Sequence, residues 1–276
     1  MSLGVELQDI QFKYQKQIDL LTDIMSFTQY FLEQRVIELK EFLGKDGMRE
    51  RYQEYLNLIE WSKKQPEGTG FQVAKDHMDV HFYHTLIEET DPKKNYLMKM
   101  TLVYLFAIFE AFNKDFFFKL YSSKPELMKS DQKQISYEEI LNFPSLEELH
   151  KNIASKEVDK LGRINIDKLA KMLNDKFKIN IEEDFEYWDV LRENYYRRNI
   201  VVHYNGKISE DYLKKMNPPS EKLNDELVVD PSYVHFCSYN IGAYLDFIFS
   251  KIKEKFNLDI TRLRRTLTAA GSFKIK

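Results

Sequence analysis

The stretch Met98–Phe118, MKMTLVYLFAIFEAFNKDFFF, decides how the rest of the chain is read. Its apolar residues cover nearly every side of a helical wheel, which places such a helix inside a core. The overlapping apolar run Leu97 to Phe112 is interrupted by Lys99 and Glu110. On this count it is too short for a membrane span. A helix is expected over about 93–121. The helix before it, about 73–89, is expected to stop at Asp91-Pro92, because the residue preceding a proline avoids helical angles.

Working outward, residues 5–43 carry apolar side chains at helical spacing: Ile10, Tyr14, Ile18, Leu21, Ile24 or Met25, Phe27 or Thr28, Phe31 or Leu32, and Ile37. Gly44 and Gly47 punctuate the end. A second helix, about 49–64, precedes Pro66-Glu67-Gly68-Thr69-Gly70, so the two form a hairpin that needs a partner for its apolar face. Ser136 with Glu139, and Ser145 with Glu148, are capping boxes. Asp167 is expected to cap a helix reaching Phe177. A further helix is expected from Asp184 to about Tyr204, closed by Asn205-Gly206. The last should run from Pro231 to about Phe256 after a loop around Pro218-Pro219. Leu227-Val228-Val229 is the one place where the chain could briefly extend.

Composition agrees with an all-α class. Nine glycines and seven prolines in 276 residues are about half the usual share, and charged residues make up 31%. So few breakers disfavour a turn-rich β sandwich, and 14% aromatics disfavour disorder. A single cysteine, Cys237, forms no internal disulfide and fits a reducing compartment as a packing thiol. The opening residues do not read as a secretion leader. A cytoplasmic protein with no membrane association is expected. A net charge of −3 argues against a broad nucleic-acid-coating surface, although the end of the chain, 251–276, carries a clear excess of Lys and Arg over Glu254 and Asp259. With so little glycine, neither a phosphate-cradling loop nor a nucleophile elbow is present.

The sharpest local feature is Arg197-Arg198-Asn199-Ile200-Val201-Val202-His203-Tyr204-Asn205-Gly206. Three aliphatics anchor one side of the turn, and His203 falls beside a helix terminus, where an imidazole is suited to exchanging a proton near neutrality. A guanidinium binds phosphate bidentately, and Asn199 adds an amide that can orient a hydroxyl or phosphate oxygen. Glu110, in so apolar a helix, calls for a cation, and Arg198 or Arg197 is the candidate. Arg192 and Arg197 are expected to pair along their own helix with Asp189 and Glu193. His77, His81 and His84, with Glu88, share one helical face if the helix is continuous, a weak candidate for zinc. His150 and His235 stand alone.

The Arg198-Asn199/His203 spacing, with Glu110 embedded in Phe109-Glu110-Ala111-Phe112, resembles the HEPN superfamily (higher eukaryotes and prokaryotes nucleotide-binding domains) over about 93–256. That resemblance implies an up-and-down helical bundle that dimerises and brings two Arg/His motifs into one cleft. It implies a metal-independent endoribonuclease without cofactors, of the toxin or anti-phage kind, acting on RNA and controlled by an antitoxin or other protein partner. By the same resemblance, His203 assists the ribose 2′-hydroxyl in attacking the phosphate. Arg198 then binds that phosphate, Asn199 orients the groups and Glu110 holds the arginine. Some members bind nucleotide or RNA, or mediate protein interactions, without turnover. The expected organisation is an N-terminal helical hairpin plus third helix at 1–90, the HEPN-like bundle at 91–256, and a basic tail at 257–276.

Overall fold

The computed structural model describes residues 2–67, 73–129, 134–162, 164–218, 221–260, 265–267 and 273–275. The fold is an all-α helical bundle. In chain order the helices are α1 (Leu3–Leu43), α2 (Arg49–Lys63), α3 (Met78–Glu88), α4 (Thr90–Ser123), α5 (Tyr137–Leu141), α6 (Leu146–Leu161), α7 (Ile166–Phe177), α8 (Ile181–Asp184), α9 (Trp188–His203), α10 (Glu210–Met216) and α11 (Pro231–Lys255). Among the described residues, extended structure is limited to the antiparallel pair β1 (Arg265–Leu267) and β2 (Phe273–Ile275), and a bridge between Lys207 and Glu226. The pair falls in the basic tail expected at 257–276, of which 261–264, 268–272 and 276 lie outside the described residues, as do 68–70 of the expected loop.

The chain divides into two compact units. The first comprises 1–21, 102–227 and 235–276, the second 22–101 and 228–234, so the division falls within α1 and within α4. In the first unit, Phe106, Phe109, Phe112, Phe116 and Phe117 of α4 are buried. Phe109 meets Tyr244 of α11 at 4.7 Å between ring centroids, and Phe117 meets Phe177 of α7 at 5.3 Å. The Tyr244 hydroxyl donates to Asn113 Oδ1 at 2.5 Å, so the polar end of a fully buried ring is satisfied. Tyr14 of α1 packs on Phe112 at 5.9 Å and donates to Asp115 at 2.7 Å. Cys237 is buried, which pushes its thiol far above the ordinary range. In the second unit, Leu43, Tyr55 and Val80 form a small core with Tyr52, Ile59, Tyr83 and Ile87 around it.

Several expectations are corrected. The third helix ends at Glu88, close to the expected 89, but Pro92 is not what ends it. Pro92 sits in the first turn of α4, where its missing N–H is not needed, and only Glu89 separates α3 from α4. The expected helix from residue 73 opens instead as a 3₁₀ turn, Lys75–His77. Asp167 is not the cap of α7; Asn165 Oδ1 accepts from Lys168 N at 2.9 Å. The helix expected from Asp184 is split, with Phe185 extended between α8 and α9. On α1 the apolar spacing contains two stripes. Leu7, Tyr14, Ile18 and Met25 are buried, whereas Ile24, Phe27, Phe31 and Ile37 stay exposed. Leu7, Tyr14, Ile18 and Met25 fall on one line of a 3.6-residue period; Ile24, Phe27 and Phe31 fall on a second, with Ile37 off it, and tertiary packing selects between the two. Ser136 and Ser145 do cap α5 and α6, accepting from Glu139 N and Glu148 N at 3.1 and 3.2 Å. On length and composition, the helical stretch Lys75–Ser123 passes a test for crossing a membrane, one that buried core helices also pass.

Candidate functional site

Three elements of the first unit build the site. α4 carries Glu110, α9 carries Arg198, Asn199 and His203, and the turn Tyr204-Asn205-Gly206 ends α9. α9 stops because Asn205 and Gly206 take left-handed angles, φ +50° and +78°, and Gly206 N–H closes back on the Ile200 carbonyl at 3.1 Å. Of the three aliphatics expected to anchor this turn, Ile200 is buried, Val201 is partly buried and Val202 is exposed, so it is Ile200 that seats the end of the helix.

Arg198 Nη2 donates to Glu110 Oε1 across 88 positions of sequence, and its Nη1 donates to Asn199 Oδ1 at 3.0 Å. The guanidinium lies over Tyr195 and Phe106, with ring centroids at 5.3 and 5.6 Å. These two rings pack edge-to-face at 5.8 Å. A weakly hydrated, planar cation tolerates such cover, and each ring adds a favourable quadrupole interaction. The Arg198 side chain is only 13% exposed and its Nε is buried without a hydrogen-bond partner among the described residues. Glu110 and Asn199 each use one terminal N–H, so one remains on Nη1 and one on Nη2 for a ligand oxygen.

His203 is exposed at the last position of α9 and makes no side-chain hydrogen bond or ion pair among the described residues. Five helical positions from Arg198 correspond to about 140° of rotation and about 7.5 Å of rise, so the two do not share one narrow face.

The other two arginines have structural roles. Arg197 pairs with Glu193 at 3.1 Å, as the spacing predicts, and also with Glu221 at 3.0 Å. Arg192 does not take Asp189 as its partner: its Nε donates to Asp167 at 2.6 Å, and Tyr196 donates to the other oxygen at 2.5 Å. Burial favours the protonated acid at Asp167, but these two hydrogen bonds outweigh it and hold the carboxyl below its ordinary range. Tyr196 is pushed up to about 12, first by burial and then by its bond to Asp167.

In the second unit the three histidines do not converge. His77 lies in the 3₁₀ turn, off the helix that would have aligned it, and its Nε2 meets Glu54 at 3.1 Å. His81 Nδ1 meets the Tyr55 hydroxyl at 2.6 Å, and His84 Nδ1 meets the Tyr52 hydroxyl at 3.3 Å. Among the described residues no group of three or more His, Cys, Asp or Glu side chains is placed to hold a metal ion.

Sequence reasoning missed Tyr195, Phe106 and Asp167. Helical spacing carried a signal for the first two, since Tyr195 lies three residues before Arg198 and Phe106 four before Glu110. Asp167 had no such signal toward Arg192, because their pairing is set by how α7 packs on α9. No protein-family model matches the chain, and searches of curated proteins and of solved structures find no match.

Proposed function

We propose that this chain is a metal-independent endoribonuclease of HEPN type, cytoplasmic and homodimeric, acting as a toxin or defence effector under the control of a protein partner. The observation that carries the reading is the Arg198 guanidinium, held by Glu110 and Asn199 with two terminal N–H groups to spare, one turn and a half along α9 from an exposed His203.

In this reading the neutral imidazole of His203 takes the proton of a ribose 2′-hydroxyl. The 2′ oxygen attacks the adjacent phosphorus, and the bond from phosphorus to the 5′ oxygen breaks. The departing 5′ oxygen recovers a proton from the imidazolium or from water, leaving a 2′,3′-cyclic phosphate and a 5′-hydroxyl end. Arg198 meets the phosphorane charge as it grows, which is where a fixed donor is most effective. Because Arg198 and His203 face about 140° apart on one helix, two copies facing each other complete the site better than one.

Purified protein incubated with RNA and a chelator is expected to generate cyclic-phosphate ends, and His203→Ala and Arg198→Ala to abolish them. Equal cleavage by all three proteins, or none by any, removes the assignment. A second reading, RNA binding without turnover, is favoured by the depth of Arg198; it predicts a shifted RNA band with no product.

A further inference from the structure

We propose that the open hollow beyond the last turn of α9 is a subsite for one nucleoside unit of single-stranded RNA, flanking the linkage on which His203 acts; it rests on the function proposed above. The hollow measures about 580 Å³, within the ~300–1,000 Å³ range of small-ligand sites. The recess beside Glu110 and Tyr195 measures about 20 Å³, room for a single water and no more. The larger hollow opens at Tyr204, the residue that follows His203.

Main-chain bonds fix one wall of the hollow before any ligand arrives. The Gly206 carbonyl accepts from Leu227 N at 2.7 Å, Ile208 N donates to the Asp225 carbonyl at 2.9 Å, and Asn224 N donates to the Ile208 carbonyl at 3.0 Å. Segments 204–209 and 222–227 are thus pinned side by side as one fixed wall of the hollow, and Glu210, Asp211 and Lys214 of α10 complete its lining.

The lining chemistry matches a nucleoside phosphate. Tyr204, directly after His203, is 49% exposed and offers a ring face, and Leu223 offers an alkyl surface at 47% exposure. The carboxylates of Glu210 and Asp211 are matched by Lys214 and Lys215 at 3.1 and 3.0 Å. The lining carries two ammonium groups, Lys207 and Lys214, against two carboxylates, Glu210 and Asp211; the Lys207 ammonium makes no ion pair or hydrogen bond among the described residues, so it is the one available to a ligand. An exposed aromatic face takes a base by stacking whatever its identity, and a free ammonium takes the adjoining phosphate. A base inside a duplex has no free face, which selects a single strand.

The test uses a labelled single-stranded oligoribonucleotide and the full chain. Affinity is read by fluorescence anisotropy in the cleavage-silent His203→Ala background, and KM is read with His203 intact. Tyr204→Leu is expected to weaken binding and raise KM about tenfold, in line with the ~1–3 kcal/mol of one base stack. Tyr204→Phe, which keeps the ring, should restore both. Lys207→Glu should weaken binding several-fold and lower the salt slope by about one. Both positions are exposed, and unchanged thermal unfolding confirms that the fold is retained. RNA bound or cleaved normally by Tyr204→Leu and Lys207→Glu overturns the subsite alone. RNA neither bound nor cleaved by the unaltered chain overturns the function it rests on, and the subsite with it.

Discussion

Two polar clusters, one in each unit, look alike in sequence and differ in what they leave unspent. Around His81 and His84, the imidazoles have taken Tyr55 and Tyr52 as partners, and His77 has taken Glu54. Those groups close on one another and stabilise the contact between α2 and α3. Around Arg198, Glu110 and Asn199 engage one terminal N–H each, and His203 is exposed and unengaged among the described residues. The lesson is that a cluster of reactive side chains becomes a candidate site through residual hydrogen-bonding capacity, and proximity alone does not confer it.

Four substitutions press on that contrast. The largest effect is expected from His203→Ala, which should lower RNA cleavage by about 10²–10⁴-fold, the usual contribution of a positioned acid–base group. Its unfolding midpoint should not move, because an exposed side chain without partners contributes under ~0.5 kcal/mol to stability. Loss of stability with retained cleavage would reverse the roles assigned to the two clusters. Next comes Arg198→Ala, expected to reduce cleavage by about 10²–10³-fold and also to destabilise the first unit. Glu110 is then left without its cation, a cost of about 1–3 kcal/mol that should fall at the low end because Glu110 is partly exposed. Urea unfolding measures the second effect and an RNA assay the first.

Tyr55→Phe should cost about 1 kcal/mol by removing the hydroxyl bonded to His81, with cleavage unchanged; calorimetry and the same RNA assay check both halves. The smallest effect concerns pH. Burial holds the His84 imidazole below its ordinary value, against a weaker opposing pull from Glu88. The unfolded chain therefore takes up this proton first as pH falls, and the native state loses stability progressively below about 6.5. His84→Gln should flatten that limb of a stability-against-pH curve. A curve that steepens would show that protonated His84 is favoured in the folded state.

Much of the helical framework was legible in local chemistry. Ser136 and Ser145 announce α5 and α6, and Asn205-Gly206 ends α9, because caps and left-handed turns depend on a few adjacent residues; past α1 the left-handed glycine is Gly47, and Gly44 is not left-handed. Element boundaries failed where two local rules competed. Pro92 reads equally as a stop or as a first-turn residue, and Asn165 and Asp167 both suit a cap. Within the site, Glu110 demanded a cation because a lone carboxylate in an apolar helix is costly, but Arg197 and Arg198 were indistinguishable as its partner.

By itself the sequence determined the helical class, the main helix ends, and the presence of an arginine, an asparagine and a histidine at the end of a core helix. These follow from short-range periodicity and capping. Only tertiary structure decided which stripe of α1 is buried, which arginine meets Glu110, that Asp167 belongs to Arg192, and that the three histidines turn to separate partners. Each of those depends on which surfaces of distant helices are pressed together, and a 3.6-residue repeat, satisfied equally by several faces, does not contain that choice.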